Sequence, residues 1–303
     1  MESLINSRAG LRMAVALARA VPPRVGNRIA KLVAWAITSR PNSSLVKAVR
    51  TNQRVVSAGK KTGKDLDKDV RTVFEYSARS VYELYHFNQD PENAGTLFTV
   101  EDSFQELLDQ RKFDKNGIIV AGLHMSGFDL ALQWLCTNWI EALGLTIPHP
   151  EGGREMEFEF RKQTRIRLVP GSMLGLREAL RYLNQGGLVA TGIDRPVPMD
   201  KHQLKPIFFG RPASLPTHYI FLALKSGAPL ILVASRLEAD GTYHLVASDP
   251  IEMIPYPKRE EALLRNAEKV LVVAEDFIRQ APQQWLVPLP VWPEVLEQKV
   301  QPK

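Results

Sequence analysis

Between Gly117 and Ala234, five short runs rich in Ile, Val, Leu and Phe alternate with longer amphipathic stretches, and no other feature restricts the fold as strongly. The runs are Gly117-Ile-Ile-Val-Ala-Gly122, Ile166-Arg-Leu-Val169, Gly187-Leu-Val-Ala-Thr-Gly192, Pro206-Ile-Phe-Phe209 and Pro229-Leu-Ile-Leu-Val-Ala234. Most are apolar almost throughout, as strands covered on both faces are, whereas a strand with one wet face alternates apolar and polar residues. Parallel neighbours need long crossovers, and helices are expected over residues 127–143, 152–165, 173–185, 214–226 and 258–280. The class is therefore α/β, with a mostly parallel mixed sheet and helices on both faces. From Pro282 onward the proline-rich tail, with Trp285 and Trp292, reads as an extended strap.

Upstream the texture is helical, with helices expected over 8–20, 26–38, 44–58 and 66–87, broken by Pro22-Pro23, Arg40-Pro41 and the turn from Lys60 to Lys64. Residues 1–90 form a basic, amphipathic, helical N-terminal region expected to associate with a membrane. Residues 91–303 form an α/β domain, the two joined in one integrated fold. Charge is concentrated at the N-terminal end: from Ser3 to Lys64 there are Arg8, Arg12, Arg19, Arg24, Arg28, Lys31, Arg40, Lys47, Arg50, Arg54, Lys60, Lys61 and Lys64, and no Asp or Glu. On the first helix Arg8, Arg12 and Arg19 fall within about 40° of one another while Met13, Leu17 and Val21 lie opposite. The apolar runs Met13–Ala18 and Leu32–Ile37 are far shorter than the roughly 20 residues of a membrane span. Arg19 and Pro22-Pro23 fit a secretory signal poorly, although an Arg-rich, acid-poor helix is also the signature of a mitochondrial transit peptide. The single cysteine, Cys136, excludes an internal disulfide and a cysteine-based zinc site, and no metal is expected.

The segment most informative about chemistry runs from Ile118 to Trp134, where an apolar strand ends in His124, Met125-Ser126-Gly127 makes a turn, and Asp129 opens an amphipathic helix. A histidine at the carboxyl end of such a strand sits where open α/β sheets bind ligands. Asp129 can fold back on the imidazole, fix one tautomer and stabilise the imidazolium when the other nitrogen takes a proton. The plainer alternative is a strand-end histidine satisfied by a backbone carbonyl and an acid favoured by the helix dipole. No Gly-x-Ser-x-Gly is present, and Gly171-Ser172-Met-Leu-Gly175 has other spacing, so a hydroxyl brought by substrate is the simpler partner for His124. Phe209, before Gly210, is a candidate for the wall of a ligand pocket, or plain core. His202, His218 and His244 have no mutual ligand spacing and read as ordinary histidines.

Arg50-Thr-Asn52-Gln-Arg54, His124-x-x-x-x-Asp129, Gly175-Leu-Arg-Glu-Ala-Leu-Arg-Tyr-Leu-Asn-Gln-Gly-Gly187, Asp194-Arg195, Ile207-Phe-Phe-Gly210-Arg-Pro-Ala and Pro282-Gln-Gln-Trp285 follow one another along nearly the whole chain. In that order they resemble the lysophospholipid acyltransferase superfamily, and within it the bacterial lipid A lauroyl/myristoyl acyltransferases and phosphatidylinositol mannoside acyltransferases. The resemblance implies a peripheral enzyme on the cytoplasmic face of the bacterial inner membrane, attracted by anionic lipid. It moves a fatty acyl group from a thioester of acyl carrier protein or coenzyme A to a hydroxyl of a lipid or glycolipid acceptor, without a bound cofactor. It makes His124 the base and Asp129 its acidic partner, and puts Arg161, with Arg165 beside it, near an anionic group of the acceptor. Asp194 matches the acid that ends the strand after Gly187, followed by Arg195, and both count as substrate-binding positions. The chain departs from the lipid A enzymes in carrying Asp rather than Glu at position 129, lacking a histidine soon after Gln284-Trp285, and lacking the Glu-Gly-Thr-Arg motif of the glycerol phosphate branch.

Two other classes remain open from the residues alone. The same dyad can activate water, giving a thioester or lipid hydrolase. A formal charge of +6 and a pI of about 9.4 also suit a non-catalytic basic binding protein. The N-terminal region has few aromatics for base stacking and alternates cationic and apolar faces at helical period, so a lipid surface, and no nucleic acid, is the expected partner.

Overall fold

The computed structural model describes residues 15–87, 90–109, 116–138, 141–146, 166–197 and 204–297. The helix expected over 152–165, the start of the one expected over 8–20, and Arg161, Arg165 and His202 lie outside these described residues.

The N-terminal helices are α1 (Pro23–Thr38), α2 (Ser44–Val56) and α3 (Gly63–Phe87). Pro23 takes the first turn of α1, where its missing N–H costs nothing, and the Ser43 hydroxyl caps α2 by accepting from Val46 N. Gly26, Ala30 and Ala34, four apart, form a stripe of small buried residues that brings α1 close to α3. A Cβ on Gly26 would fall 2.3 Å from the Tyr82 ring. Val46, Val49, Val70, Val73 and Phe74 fill the small core among the three helices.

The body follows in the order α4 (Pro91–Gly95), β1 (Phe98–Val100), α5 (Asp102–Asp109), β2 (Ile118–Gly122), α6 (Phe128–Asn138), β3 (Ala142–Thr146), β4 (Ile166–Pro170), α7 (Met173–Leu183) and β5 (Leu188–Gly192). Next come β6 (Ile207–Phe208), β7 (Arg211–Pro212), α8 (His218–Ser226), β8 (Leu230–Leu237), β9 (Tyr243–Ala247), α9 (Arg259–Gln280), a 3-10 turn (Pro282–Gln284) and α10 (Pro293–Glu297). Seven strands form one sheet in the order β1-β9-β8-β2-β5-β3-β4, parallel at every pairing except β8 with β9. Side chains of α7, α8 and α9 pack on one face and those of α3, α5 and α6 on the other. Among the described residues no helix is long and apolar enough to cross a membrane.

Several boundaries differ from the sequence reading. The helix expected over 127–143 ends at Asn138, and Ala142–Thr146 is a strand between β5 and β4. Its residues are apolar on both faces, which gives helix and buried strand the same texture. Pro206–Phe209 does not enter the main sheet; Ile207 and Phe208 pair only with Pro212 and Arg211 in a small hairpin. The helix expected from 214 begins at His218, after Pro216. β1 and β9 had no clear signal, being short or half-exposed.

β2 lies in the middle of the sheet, and the chain leaves it for β3 on one side while β8 closes the other. That arrangement opens a crevice at the carboxyl end of β2, where His124 follows.

Candidate active site

Each turn residue after β2 is held by a different element. Leu123 N donates to Val233 O (3.1 Å), and His124 O accepts from Leu286 N (2.8 Å). Ser126 O accepts from the Ser235 hydroxyl (2.6 Å), and Gly127 N donates to the Ser80 hydroxyl on α3 (3.1 Å). Gly127 has φ +74°, and a Cβ there would lie 2.6 Å from the Tyr243 ring, so this position excludes every side chain on two counts. The Tyr243 hydroxyl in turn donates to Glu83, which Arg79 pairs at 2.7 Å, tying α3 to the sheet beneath the turn.

His124 is 9% exposed and its Nδ1 lies 2.5 Å from Oδ1 of Asp194, a residue with no exposed surface. A carboxylate only accepts, so Nδ1 carries the proton and Nε2 keeps its lone pair. Oδ2 of Asp194 accepts from His124 N (2.8 Å) and from the indole N–H of Trp285 (2.9 Å). Burial would raise the Asp194 carboxyl, but the charge and hydrogen bond of His124, the amide and the indole together hold it below its usual range. Burial also pushes the His124 imidazole down, and the Arg195 guanidinium adds to this. Asp194 and, least of all, Asp129 pull it up, leaving it below the ordinary histidine value. Gly192 makes room for the ring, since a Cβ there would lie 2.5 Å from His124 Cε1.

Asp129 stands on the first turn of α6, half-buried, and acts on the imidazole through its charge. The five-residue spacing suggested Asp129 as the acid that orients the imidazole; the hydrogen bond at Nδ1 is made by Asp194. Register explains this: Gly122 on β2 faces Gly192 on β5, so residues 124 and 194 leave neighbouring parallel strands at the same height. Sequence reading placed Asp194 at a strand end but could not pair it with a histidine 70 residues away.

A cavity of about 270 Å³ opens beside this pair. Its floor is the sheet face at Gly122, Ala142, Gly144, Ala190 and Gly192, and its roof is α6 from Phe128 through Leu132 and Leu135 to Cys136. The eight steps from Phe128 to Cys136 correspond to about 12 Å. Ile166 and Leu168 wall it on the β4 side. Polar groups gather at the end near His124. Arg195 lines the cavity with a buried Nε that has no partner among the described residues, and His218 lines it with Nε2 3.0 Å from the Thr191 hydroxyl. Burial lowers His218 to about 4, so it is neutral at pH 7. The sequence treated His218 as ordinary, and no local signal marks it. Phe209 is placed elsewhere: it has φ +49°, packs against Phe208, Trp285 and Trp292, carries Arg279 5.1 Å over its ring, and is absent from the described cavity wall. His244 pairs with the Thr99 hydroxyl at 3.0 Å, between β9 and β1.

Such a site holds a neutral imidazole with one free basic nitrogen, a buried counter-charge behind it, a cation beside it and an apolar slot leading away. It can take a proton from a hydroxyl and stabilise the resulting positive charge. The sequence model of the family described as bacterial lipid A biosynthesis acyltransferase matches residues 9–293 of the chain. Comparison with curated proteins finds no match.

Proposed function

This chain belongs to the bacterial lipid A biosynthesis acyltransferase family, and from that premise we propose that it transfers a fatty acyl group from a thioester to a hydroxyl of a lipid or glycolipid acceptor. The observation that carries this reading is the apolar cavity that starts at an imidazole whose Nδ1 is held by a buried carboxylate. Nε2 of His124 takes the hydroxyl proton as the oxygen attacks the thioester carbonyl, and Asp194 stabilises the imidazolium, with Asp129 adding charge from the helix. The carbonyl oxygen becomes an oxyanion beside Arg195. When the C–S bond breaks, the imidazolium returns its proton to the departing sulfur, and ester and thiol leave with atoms and charge balanced. No cofactor is required. The acyl chain fills the slot beneath α6, each buried methylene contributing about 0.8 kcal/mol. The donor is a thioester of acyl carrier protein or coenzyme A; Arg161 and Arg165 are candidates for the acceptor's anionic group.

We further propose that α1 docks on the cytoplasmic face of the inner membrane as a peripheral anchor. Val25, Ile29, Leu32 and Val33 are exposed along one arc, with Leu32 at 66%, next to an arc carrying Arg24, Arg28 and Lys31 with Trp35 among them. An apolar arc flanked by cations fits an anionic bilayer surface.

Purified protein with an acyl thioester, with and without glycolipid acceptor, tests the activity. Acyl transfer that depends on acceptor, reduced about 10²- to 10⁴-fold in His124→Ala with the fold retained, is the expected result. Full activity of His124→Ala would overturn it, and acyl release independent of acceptor would replace transfer with hydrolysis.

A further inference from the structure

The Arg50–Arg54 segment stands out in the sequence, yet nothing in the chemistry above uses it. In the structure Asn52, 1% exposed, binds the C-terminal strap three times: its Nδ2 donates to Val287 O (3.0 Å) and Leu289 O (2.9 Å), and its Oδ1 accepts from Val291 N (3.2 Å). Gln53 donates to Pro282 O at 2.8 Å, also from α2. On the other side of the strap, Gln284 accepts from Leu237 N (2.7 Å) and donates to Leu237 O (2.9 Å). Among the described residues the backbone of the strap from Pro282 to Val291 pairs with the sheet region at one isolated bridge, Met125 with Trp285, so these buried side-chain bonds take the place of a ladder. What they hold in place is Trp285, 1% exposed, with its indole N–H on Asp194 Oδ2 and the next amide on His124 O.

We propose that Trp285 is a positioning residue for the His124–Asp194 pair and that Asn52 fixes the strap that carries it, which makes helix α2 of the N-terminal region part of the catalytic apparatus. This deepens, and rests on, the acyl-transfer reading. The physical argument concerns the buried carboxylate. Asp194 accepts from three N–H groups, and two of them, the indole and the amide of His124, are on Oδ2. Deleting the indole donor leaves a buried negative charge short of one partner, and its remaining route to compensation is a stronger hold on the imidazole proton. The pair then binds a proton more tightly, and the base is lost at a higher pH.

The test uses the full chain and compares wild type with Trp285→Phe, Asn52→Ala and a control core variant, Val46→Ala, which sits on α2 in the small core against which Leu286 of the strap also packs but whose side chain makes none of the hydrogen bonds to the strap or the pair. Two quantities are read: the acidic limb of kcat/KM against pH for acyl transfer, and the ¹⁵N titration of the His124 ring with no substrate present. In Trp285→Phe both move to higher pH by about half a unit to one unit, and kcat falls while KM changes little. Asn52→Ala shifts both the same way by less, and Val46→Ala loses stability with no shift. Unmoved titrations in folded Trp285→Phe, or an equal shift in Val46→Ala, overturn the proposal. Should Trp285→Phe not fold, the sign of the Asn52→Ala shift decides. Because the ring titration needs no turnover, it separates failure of this proposal from failure of the acyl-transfer reading.

Discussion

The two faces of the sheet are built from alternate residues of the same strands, and they have opposite outcomes. On the face toward α7, α8 and α9, Ile119, Leu123, Val189, Ile193, Leu230 and Leu232 are all fully buried and interlock with Leu183, Leu222, Val270 and Ile278. On the face toward α6 the corresponding positions include Gly122, Ala142, Gly144, Ala190 and Gly192, and a cavity of about 270 Å³ remains above them. Strand period and backbone spacing are common to both. The slot is therefore made by side-chain size at every second position, and it forfeits contacts that the opposite face keeps. A well-packed protein tolerates such a void where a ligand fills it.

Breaking the filled face gives the largest stability effect. Leu232→Ala, at a fully buried position, is expected to cost about 3 kcal/mol in denaturant unfolding and leave acyl-chain preference unchanged. A changed chain preference would show that the two faces are not independent. Next comes the polar end of the slot. Burial lowers the folded-state value of His218 from 6.5 to about 4, so the unfolded chain takes up a proton that the folded chain refuses. The contribution is present in full above about pH 6.5 and is lost as pH falls toward 4, by about 2 kcal/mol at pH 5. His218→Gln should therefore shrink the difference in melting temperature between pH 7.5 and pH 5; an unchanged difference would mean that His218 is wet.

Filling the empty face is a smaller perturbation. Cys136→Phe, at the far end of the α6 roof, should leave stability within about 1 kcal/mol and shift preference to acyl chains shorter by two or three carbons, read by competition between thioesters of different length. The smallest change concerns the outer surface: Leu32→Ser on α1 is expected to weaken binding to anionic vesicles about tenfold with no loss of transfer to a detergent-soluble acceptor. Unaltered vesicle binding would remove α1 from the docking surface.

Much of this was legible in the chain. The runs at residues 117–122, 166–169, 187–192 and 229–234 are strands of the main sheet, and the helices α1, α2, α3, α7 and α9 fall close to their expected spans. The strand at Ala142–Thr146 was hidden because complete burial erases periodicity. The hairpin at Ile207–Pro212 was misread because two residues of apolar strand do not reveal which sheet they join. At the site, His124 and its strand-end position were readable, since strand, turn and helix are contiguous. The hydrogen-bonding partner of its Nδ1 was not, because proximity between residues 124 and 194 is a consequence of parallel register.

By itself the sequence determined the α/β class, the cationic N-terminal helices and a histidine at the mouth of a parallel sheet, all of which follow from local periodicity and composition. Only the tertiary structure decided that Asp194 rather than Asp129 hydrogen-bonds the imidazole, that Trp285 and Asn52 complete that arrangement, that His218 lies in the slot while Phe209 does not, and that small residues on one face leave a cavity. These are contacts between residues tens to hundreds of positions apart, fixed by strand order and register.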